Sequence, residues 1–337
     1  MPRSTITDVA KLAGVSVGTV SNVLNVKGRY SETTRRRVLW AASELQFAPN
    51  ALIRSLQSGK TNTIGVFTWR LHLGGTKDVS LDTLRGISRG LAERNLDALL
   101  YARHPHEGRV EPAYFLDGRV DGVILAPGGL SRDGVDAFAA SGMCGVLLYQ
   151  NHVPPSLGAV TIDNAEGVTA AVDHLVNLGH RRIAFVSPQY SDDFNERRDA
   201  YIAASERHGL VVDRRLVVGD IADHDDSLEH AALNLIHSEQ PLTAILLGND
   251  ALALRLLQFL CGYGIRVPGD LSVVGFDDAP DARNARLSTI AQPAEEVGYQ
   301  AALLVSQMLD GASGGECRVR LPVRFVPRET TGPPAYA

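Results

Sequence analysis

The sequence predicts an all-α N-terminal head followed by an α/β core built as two lobes. Residues 5–25 have the pattern of two short helices joined by a tight turn. From Thr63 onward, short apolar runs typical of strands alternate with segments of helical periodicity, as in parallel α/β sheets. The alternation continues after residue 163 in a second half of similar size, which predicts two lobes with a cleft between them.

The two N-terminal helices have clear start and stop signals. Thr5 and Asp8 have a capping-box-like spacing, Gly14 can end the first helix, and Ser16 can cap the second. One face of the second helix carries small polar residues and few acids, so it can enter a DNA major groove. The alternative is that both are core helices of an ordinary bundle. The expected apolar faces are Val9, Leu12 and Ala13 in the first helix and Val20, Val23 and Leu24 in the second.

A third helix is predicted from Ser31 to Leu45, with Ser31 as its N-cap. Residues 35–37 are consecutive arginines that spread around this helix, either as a solvated surface or as phosphate contacts. Residues 47–61 follow as a linker that Pro49 and Asn50 can open as a helix and Gly59 can close. With about nine residues in between, this helix should form only on binding a partner. The alternative is an ordinary linker with a buried leucine.

Charge is unevenly distributed along the 337 residues. The formal net charge is −5, but residues 1–60 contain nine Lys/Arg and three Asp/Glu, a net charge of +6 that leaves −11 on the remainder. A basic head on an acidic body predicts a polyanionic partner for the head alone. The three widely spaced cysteines predict neither a disulfide framework nor a metal site. Because no signal peptide or membrane-length apolar run is seen, a cytoplasmic protein is expected. No cofactor is expected.

The core elements follow from apolar runs and helical periodicity. Strands are expected at 64–67, 98–101, 120–125, 145–149, 160–163, 183–186, 216–218, 244–247, 272–275 and 319–326, and helices at 80–95, 137–141, 164–178, 196–208, 227–237, 250–263 and 294–309. Ligands of such sheets bind outside the carboxyl ends of the strands, so the cleft is the expected binding site.

The segment 8–25, DVAKLAGVSVGTVSNVLN, resembles the helix-turn-helix of the LacI/GalR transcription regulators. The similarity extends through HLVNLGHRRIAFV (174–186), LLGND (246–250) and GDLSVVGFDD (269–278), which are specific in combination. It implies a type I periplasmic-binding-protein-like core whose chain crosses between lobes near Val160, Ile290 and Leu321. The expected domains are a head at 1–48, a hinge helix and linker at 49–61 and a core at 62–337, with lobes of about 62–160 plus 291–320 and 161–290 plus 321–330.

The resemblance implies base readout by Val17, Gly18 and Asn22. Asn can pair bidentately with adenine and Val can touch a thymine methyl. Gly18 offers no side chain, so few direct contacts with base edges are expected. Glycine also costs a helix about 1 kcal/mol relative to Ala. Phosphate contacts are expected from a set of small polar residues, each of which could instead be only a cap or face solvent: Thr5, Ser16, Thr19, Ser21 and Asn25.

In the hinge, the resemblance implies that Leu56 is the leucine that wedges into the DNA minor groove, where an apolar side chain unstacks a base step and kinks the duplex. Asn50 and Arg54 would support contacts with the DNA backbone. Because two hinge helices, one from each subunit, must meet over the duplex, the resemblance implies a homodimer on a near-palindromic operator.

The resemblance also implies a small-molecule effector site at strand ends, formed by Trp69, Leu73, Tyr149 and Gln150 in the first lobe and Arg197, Ile221, Asn249 and Asp277 in the second. Family members that bind sugars use an Arg, an Asn and an Asp at such positions, with an aromatic stacking plate. Ile221 stands where family members often have the aromatic plate, and Trp69 of the other lobe could supply the stacking instead. Tyr149 and Gln150 stand where an Asp and an Arg are common. Asn249 could instead be a helix cap, and Asp277 could brace a loop.

These features predict a transcriptional repressor whose operator affinity is controlled by a small metabolite, expected to be a sugar. Metabolite binding would close or reopen the lobes and change whether the paired hinge helices order. An exported-type receptor for a sugar is the alternative, which the basic head and the missing signal disfavour. An enzyme is disfavoured because no catalytic constellation is found, and a coiled-coil tetramer because no leucine heptad follows Val326.

Overall fold

The computed structural model describes residues 4–25, 27–48, 55, 58–68, 79–102, 112–126, 131–188, 192–219, 221, 227–238 and 242–335. The chain divides into two compact units, Met1–Thr61 and Asn62–Ala337. None of the helices in the described ranges combines the length and hydropathy that a membrane span requires.

The described part of the first unit contains three helices, α1 (Ile6–Ala13), α2 (Val17–Leu24) and α3 (Glu32–Glu44). The side chains of Thr5, Ser16 and Ser31 cap them as predicted, each accepting a hydrogen bond from a backbone N–H. Their shared core consists of Val9, Ala10, Ala13, Val20, Val23, Val38, Ala41 and Ala42.

One position in the predicted apolar face of α1 is wrong. Leu12 is 43% exposed, whereas Ala10 is buried. The buried stripe of α1 is centred between Val9 and Ala10, and Leu12 lies roughly 100° around the helix from that centre, given 3.6 residues per turn. Helical spacing alone does not say which edge of so short an apolar face turns inward.

Arg37 of α3 holds the turn between α1 and α2. Its guanidinium donates a hydrogen bond to the Ala13 carbonyl at 2.5 Å. Gly14 follows with φ of +62°, and a Cβ there would lie 2.6 Å from Arg37 Nη2, so this left-handed turn favours glycine. Arg37 therefore braces the turn, whereas Arg35 pairs with Glu32 of its own helix at 3.2 Å.

The second unit is built on two sheets, and its described strands are β1 (Thr63–Thr68), β2 (Asp97–Leu100), β3 (Gly122–Ala126), β4 (Cys144–Leu148), β5 (Gly158–Ile162), β6 (Ile183–Val186), β7 (Val217–Val218), β8 (Ala244–Leu247), β9 (Ser272–Asp277), β10 (Ser288–Ala291), β11 (Arg318–Leu321) and β12 (Arg324–Val326). The first sheet has the order β11–β5–β4–β3–β1–β2 and is parallel throughout. The second has the order β12–β10–β9–β8–β6–β7, with β12 antiparallel to its neighbour. The predicted pair of α/β lobes is confirmed.

The helices of the second unit cover these sheets, as buried parallel strands require. In the described ranges they are α4 (Ser80–Glu93), α5 (Arg132–Ala140), α6 (Asn164–Asn177), α7 (Asp192–Arg207), α8 (Ser227–Ile236), α9 (Asp250–Gly262), α10 (Pro280–Asn284) and α11 (Ala294–Leu309). The first lobe is the first sheet with α4, α5 and α11, and the second lobe is the second sheet with α6 to α10. Two short 3₁₀ turns, Pro112–Tyr114 and Arg214–Leu216, complete the described elements.

The described chain passes between the lobes after β5, after β10 and between β11 and β12. The predicted single strand over 319–326 is wrong, because it breaks at Pro322 into two strands that belong to different sheets. Proline has no N–H to continue the hydrogen-bond ladder, so the chain can leave the first sheet there. β10 and α10 are short elements whose sequences carry no periodic pattern, and they are not predicted.

The first lobe brings α4 and α11 unusually close together. A Cβ on Gly86 would lie 1.8 Å from the carbonyl oxygen of Glu295, and one on Gly298 would lie 1.9 Å from that of Thr83. The two backbones can approach this closely only because both positions lack a side chain. Since Gln292 lies two residues before α11, this packing also fixes the crossing that follows β10.

Candidate functional site

Hydroxyl groups build the N-terminal ends of α1 and α2. Ser16 Oγ accepts a hydrogen bond from the Thr19 N–H at 3.1 Å and lies 2.9 Å from Thr19 Oγ1. The Thr5 hydroxyl donates to Asp8 Oδ2 at 2.7 Å, and this bond holds the pKa of Asp8 below its usual value. Thr5 and Ser16 therefore act as caps, and Thr19 bonds to the Ser16 cap. The phosphate contacts of all three stay predictions.

The outward face of α2 carries the residues predicted to read bases. Val17 is 41% exposed, and Gly18 and Asn22 are also exposed. A Cβ on Gly18 would meet a single neighbour, Ser16 Oγ at 3.8 Å, so this position is open to a larger residue. Asn25 is exposed and its side chain donates to the Ser21 hydroxyl at 3.3 Å. The first turn of α2 holds no acid, and a partner with negative charge can approach it.

Five predicted site residues lie outside the described residues: Asn50, Arg54, Leu56, Trp69 and Leu73. Beside the hinge positions, Gly59 has φ of +68° and its N–H donates to the Ser55 carbonyl at 2.8 Å. This left-handed glycine with an i to i−4 bond is the geometry that ends a helix.

Arg197 of α7 lies at the carboxyl ends of β8 and β9 and is only 2% exposed. Its Nε donates to Asn164 Oδ1 at 2.8 Å, its Nη1 to the Gly248 carbonyl at 2.6 Å and its Nη2 to Asp193 Oδ2 at 3.0 Å. The guanidinium carbon lies 3.6 Å from the centroid of the Phe276 ring. A buried guanidinium held by this many acceptors has a fixed orientation.

Asp277, the last residue of β9, lies next to this guanidinium, with 4.0 Å between its Oδ1 and Arg197 Nη1. Gln292 Nε2 donates to Asp277 Oδ1 at 2.6 Å. Asp277 and Asp278 have φ of +127° and +60°, values that are rare outside glycine and that store backbone strain at this strand end. Arg328 braces the turn by donating to Asp278 Oδ1 at 2.6 Å.

Tyr149 brings the first lobe to this cluster, directly after β4 and with φ of +57°. Its hydroxyl is buried and finds no partner at hydrogen-bond geometry among the described residues, although the Thr83 hydroxyl is near enough to influence it. Burial raises the pKa of Tyr149 far above its usual value, Thr83 opposes that rise, and Asp277 and Asp193 add to it. Tyr149 therefore stays neutral and able to donate.

Asn249 and Asp250 follow β8 and have different roles. Asn249 Oδ1 accepts from the Leu252 N–H at 2.8 Å, so Asn249 caps α9. Asp250 is fully buried and accepts from the Thr289 hydroxyl at 2.6 Å and the Ala279 N–H at 2.8 Å. Burial raises the pKa of Asp250 to about 7. Asp250 thus ties β10 and the turn after β9 to the start of α9.

The two other described cleft residues are less exposed than a ligand-lining role suggests. Gln150 is 6% exposed and Ile221 is 3% exposed. Ile221 belongs to the hydrophobic core of the second lobe together with Leu216 and Leu228. Conversely, Asn164, Asp193 and Gln292 supply polar contacts that the sequence pattern does not predict. The i,i+4 spacing of Asp193 and Arg197 is the one signal that could have revealed such a contact.

A cavity of about 460 Å³ opens beside Asp277, between α4 and the start of α11. Its walls carry charges of both signs, from Asp82, Arg85, Arg89, Asp278 and Arg283. Arg89 pairs with Glu295 at 2.5 Å across the rim. The volume is within the usual range for small-molecule sites. Of the predicted effector residues, Asp277 lines this cavity, whereas Arg197, Tyr149 and Asn249 are not among its described walls.

Two family models match the chain. Residues 5–50 match the model of bacterial regulatory proteins of the lacI family, and residues 172–331 match a periplasmic binding protein-like domain. The relatives that match over most of their length include the following two regulators. The HTH-type transcriptional regulator DegA of Bacillus subtilis (strain 168) is 30% identical over 98% of this chain and 99% of DegA. The ribose operon repressor of Escherichia coli (strain K12) is 31% identical over 88% of this chain and 90% of the repressor.

Solved structures match as well. The lac repressor dimer bound to operator and the anti-inducer ONPF is 25% identical with a TM-score of 0.84, covering 98% of this chain and 100% of that one. The transcriptional regulator CelR–cellobiose complex is 29% identical with a TM-score of 0.69, covering 97% and 100%. A LacI family regulator from Enterococcus faecium with bound ribose is 26% identical with a TM-score of 0.67, covering 80% and 99%.

Proposed function

Because the chain belongs to the LacI family of bacterial transcriptional regulators, we propose that it is a repressor whose operator affinity is controlled by a metabolite bound between its two lobes. Membership makes it a DNA-binding regulator with an effector-binding core, not an enzyme. The observation that carries the proposal is the combination of an exposed, acid-free face on α2 with a buried polar cluster to which both lobes contribute.

On the DNA side, Val17, Gly18 and Asn22 are proposed to face base edges in the major groove. The exposure of all three supports this assignment. The phosphates would be contacted around them by Thr5, Ser16, Thr19, Ser21 and Asn25. Asn50, Arg54 and Leu56 are proposed to act in the minor groove when the hinge forms.

The effector is proposed to be a sugar. Arg197, Asn249 and Asp277 would bond to its hydroxyls, with Tyr149, Gln150, Ile221, Trp69 and Leu73 completing the walls. The neutral Tyr149 hydroxyl supports this, because it is buried near Thr83 and has no partner at hydrogen-bond geometry among the described residues, so a ligand hydroxyl could accept from it. Relatives add support, since one is a ribose operon repressor and solved structures hold cellobiose or ribose.

The chain is proposed to act in the cytoplasm as a homodimer, with a head at 1–48, a hinge at 49–61 and an effector domain at 62–337. A related solved structure is a dimer on its operator. β2 supports the dimer, because among the described strands it lies at one edge of the first sheet, and it carries the exposed Leu100. An edge strand with an exposed apolar residue is suited to contact a second copy.

Selection of binding sites from a random duplex library by the purified protein tests this function. We expect a near-palindromic consensus bound by two chains. A thermal-shift screen of mono- and disaccharides should then return a sugar that changes affinity for the selected duplex. Enrichment of no sequence, or of a site bound by a single chain, would contradict the proposal.

A further inference from the structure

We infer that Asn164 is a positioning residue that couples the Arg197 guanidinium to the crossing between β11 and β12 through Glu196 and Arg320. This inference rests on the proposed role of Arg197 in effector binding. The four side chains form one continuous hydrogen-bonded relay, in which Arg197 lies at the cleft end and Arg320 lies at the crossing.

Asn164 is the first residue of α6 and is 2% exposed. Both ends of its amide are used. Its Oδ1 accepts from Arg197 Nε at 2.8 Å, and its Nδ2 donates to Glu196 Oε2 at 2.8 Å. A carboxylate here could accept from Arg197 but not donate to Glu196, whereas an amide does both. The position therefore favours Asn over its isostere Asp.

The Asn164 bond completes the orientation of Arg197. Gly248 and Asp193 hold the two Nη atoms, and Asn164 holds Nε, so each nitrogen of the guanidinium has an acceptor. Because Arg197 is almost fully buried, loss of one acceptor leaves a buried donor without compensation. The guanidinium would then reorient relative to Asp277.

Glu196 connects Asn164 to the first sheet through Arg320. Its Oε1 accepts from Arg320 Nη2 at 2.7 Å, and Arg320 also donates to Asp163 Oδ1 at 3.3 Å. Arg320 lies in β11, which pairs with β5 in the first lobe, two residues before the break at Pro322. Glu196 lies in α7 of the second lobe, so this ion pair joins the two lobes at their crossing.

The relay links two elements that must move relative to each other when the lobes change their angle. A ligand that shifts Arg197 also changes the hydrogen bonds from Arg197 to Asn164 and from Asn164 to Glu196. The contact between Glu196 of α7 and Arg320 of β11 changes as a result. By linkage, the same coupling acts in reverse, so a lobe angle imposed at the crossing changes how Arg197 meets a ligand. The two arrangements of the lobes are the states that both ends bias.

Hydrogen–deuterium exchange of the full chain tests the relay without a ligand. In N164D, amides of both residues 192–200 and 318–321 should exchange about tenfold faster, as loss of a buried hydrogen bond to a charged group implies. In R320Q the same amides should exchange about twofold to fivefold faster, because the Arg320–Glu196 pair is partly exposed. The Arg320 side chain is 48% exposed, so R320Q should fold even if N164D does not. The relay can then still be tested with R320Q alone.

Exchanging the two polar groups in N164D/E196Q provides the rescue. The amide at 196 can donate to the carboxylate at 164, so the hydrogen bond between the two positions is restored. Amide exchange in both segments should therefore return to within about threefold of wild type. Such a rescue shows that the two positions are coupled, which neither single variant can show. S272A and R266Q are matched controls. The first removes a buried hydroxyl and the second an exposed arginine of an ion pair, both in the second lobe and outside the relay.

A purely structural role for Asn164 predicts faster exchange throughout the second lobe, unchanged exchange of the 318–321 amides in N164D and no rescue. That result would overturn the inference. Unchanged exchange of 192–200 in R320Q would overturn it as well. Binding of the selected duplex by the wild type is measured in parallel. Failure of that binding contradicts the proposed function, whereas intact binding with failed exchange predictions contradicts the relay alone.

Discussion

Gln292 donates a hydrogen bond to the Asp277 carboxylate at 2.6 Å, which connects the crossing after β10 to the end of β9. Gln292 precedes α11 of the first lobe, and Asp277 faces Arg197 of the second. The crossing is thus in direct contact with the residue proposed to bind the effector. A ligand that competes for Asp277 would therefore alter a contact on which the lobe angle depends.

Replacing Asp277 with Asn should weaken the response to the effector while leaving DNA binding intact. Asn keeps the shape and tolerates positive φ, but it accepts ligand hydroxyls more weakly, so affinity for the sugar found by screening should fall by about tenfold or more. Thermal shift against sugar concentration gives the measurement. D270N, a surface carboxylate paired with Arg266, is the control. An undiminished shift in D277N would refute the assignment.

Asn22→Ala should relax base preference without a uniform loss of affinity. A bidentate contact with adenine contributes about 1–3 kcal/mol of discrimination, and its loss makes one position of the consensus degenerate. Site selection with the variant measures this. Asn25→Ala, at an exposed position proposed to contact phosphate, should weaken all sequences alike. The same consensus from N22A and wild type would count against Asn22 as a base reader.

The adjacent arginines of α3 should behave differently. Arg37→Ala removes the bond to Ala13, so the head should lose about 1–3 kcal/mol of stability, as expected for a hydrogen bond from a charged group. Arg36 is exposed, and Arg36→Ala should leave stability unchanged. If it contacts phosphate, the slope of log affinity against log salt should decrease by about one. Urea unfolding and salt titrations of duplex binding separate the two roles, and equal stability of the two variants would contradict the bracing role.

Patterns local in sequence predicted most of the fold. Caps at Thr5, Ser16 and Ser31 and the alternation of strands and helices are confirmed, because each depends on residues only a few positions apart. The break at Pro322 was predictable in principle from its missing N–H. That the flanking strands join different sheets depends on partners more than 150 residues earlier for β11, and no local pattern contains that information.

The candidate site was predicted less completely. Arg197 and Asp277 come together as expected. Asn249 caps a helix, and Ile221 packs in the core, since a residue after a strand can turn either inward or toward the cleft. Asn164 and Gln292 escape prediction because their partners are 33 and 15 residues away along the chain, and amide side chains have no distinctive spacing.

Asp250 gives the core a pH-dependent stability. Its pKa is raised from 3.8 to about 7 by burial, so between these values the folded state binds more protons than the unfolded state. The stability contributed by protonated Asp250 is fully present below about pH 4 and is lost as pH rises through 7. The difference in free energy of unfolding between wild type and D250N should therefore fall by about 1 kcal/mol or more across this range.

Urea unfolding at several pH values measures that difference. D270N is the control, because Arg266 lowers the pKa of Asp270 to about 2. The stability that ionised Asp270 contributes is fully present above the usual carboxyl pKa and is lost only as pH falls below that pKa. The wild type and D270N should thus differ by a constant amount between pH 5 and pH 7. A D250N difference that is equally flat would contradict the titration of Asp250.

Leu56→Ala should weaken operator binding by at least about tenfold, because a dimer loses two apolar wedges from the minor groove. The stability of the core should not change. Leu116→Ala is a suitable control, since Leu116 is 51% exposed in the first lobe. Gel-shift titration with the selected duplex gives the comparison, and equal affinities for L56A and wild type would reject the wedge.

We propose above that a ligand between the lobes controls DNA binding. The most direct measurement is the Kd of the wild type for its selected duplex with and without the sugar that gives a thermal shift. We expect a change of about tenfold or more, within the usual range of allosteric coupling. An unchanged Kd at sugar concentrations that saturate the thermal shift would contradict it.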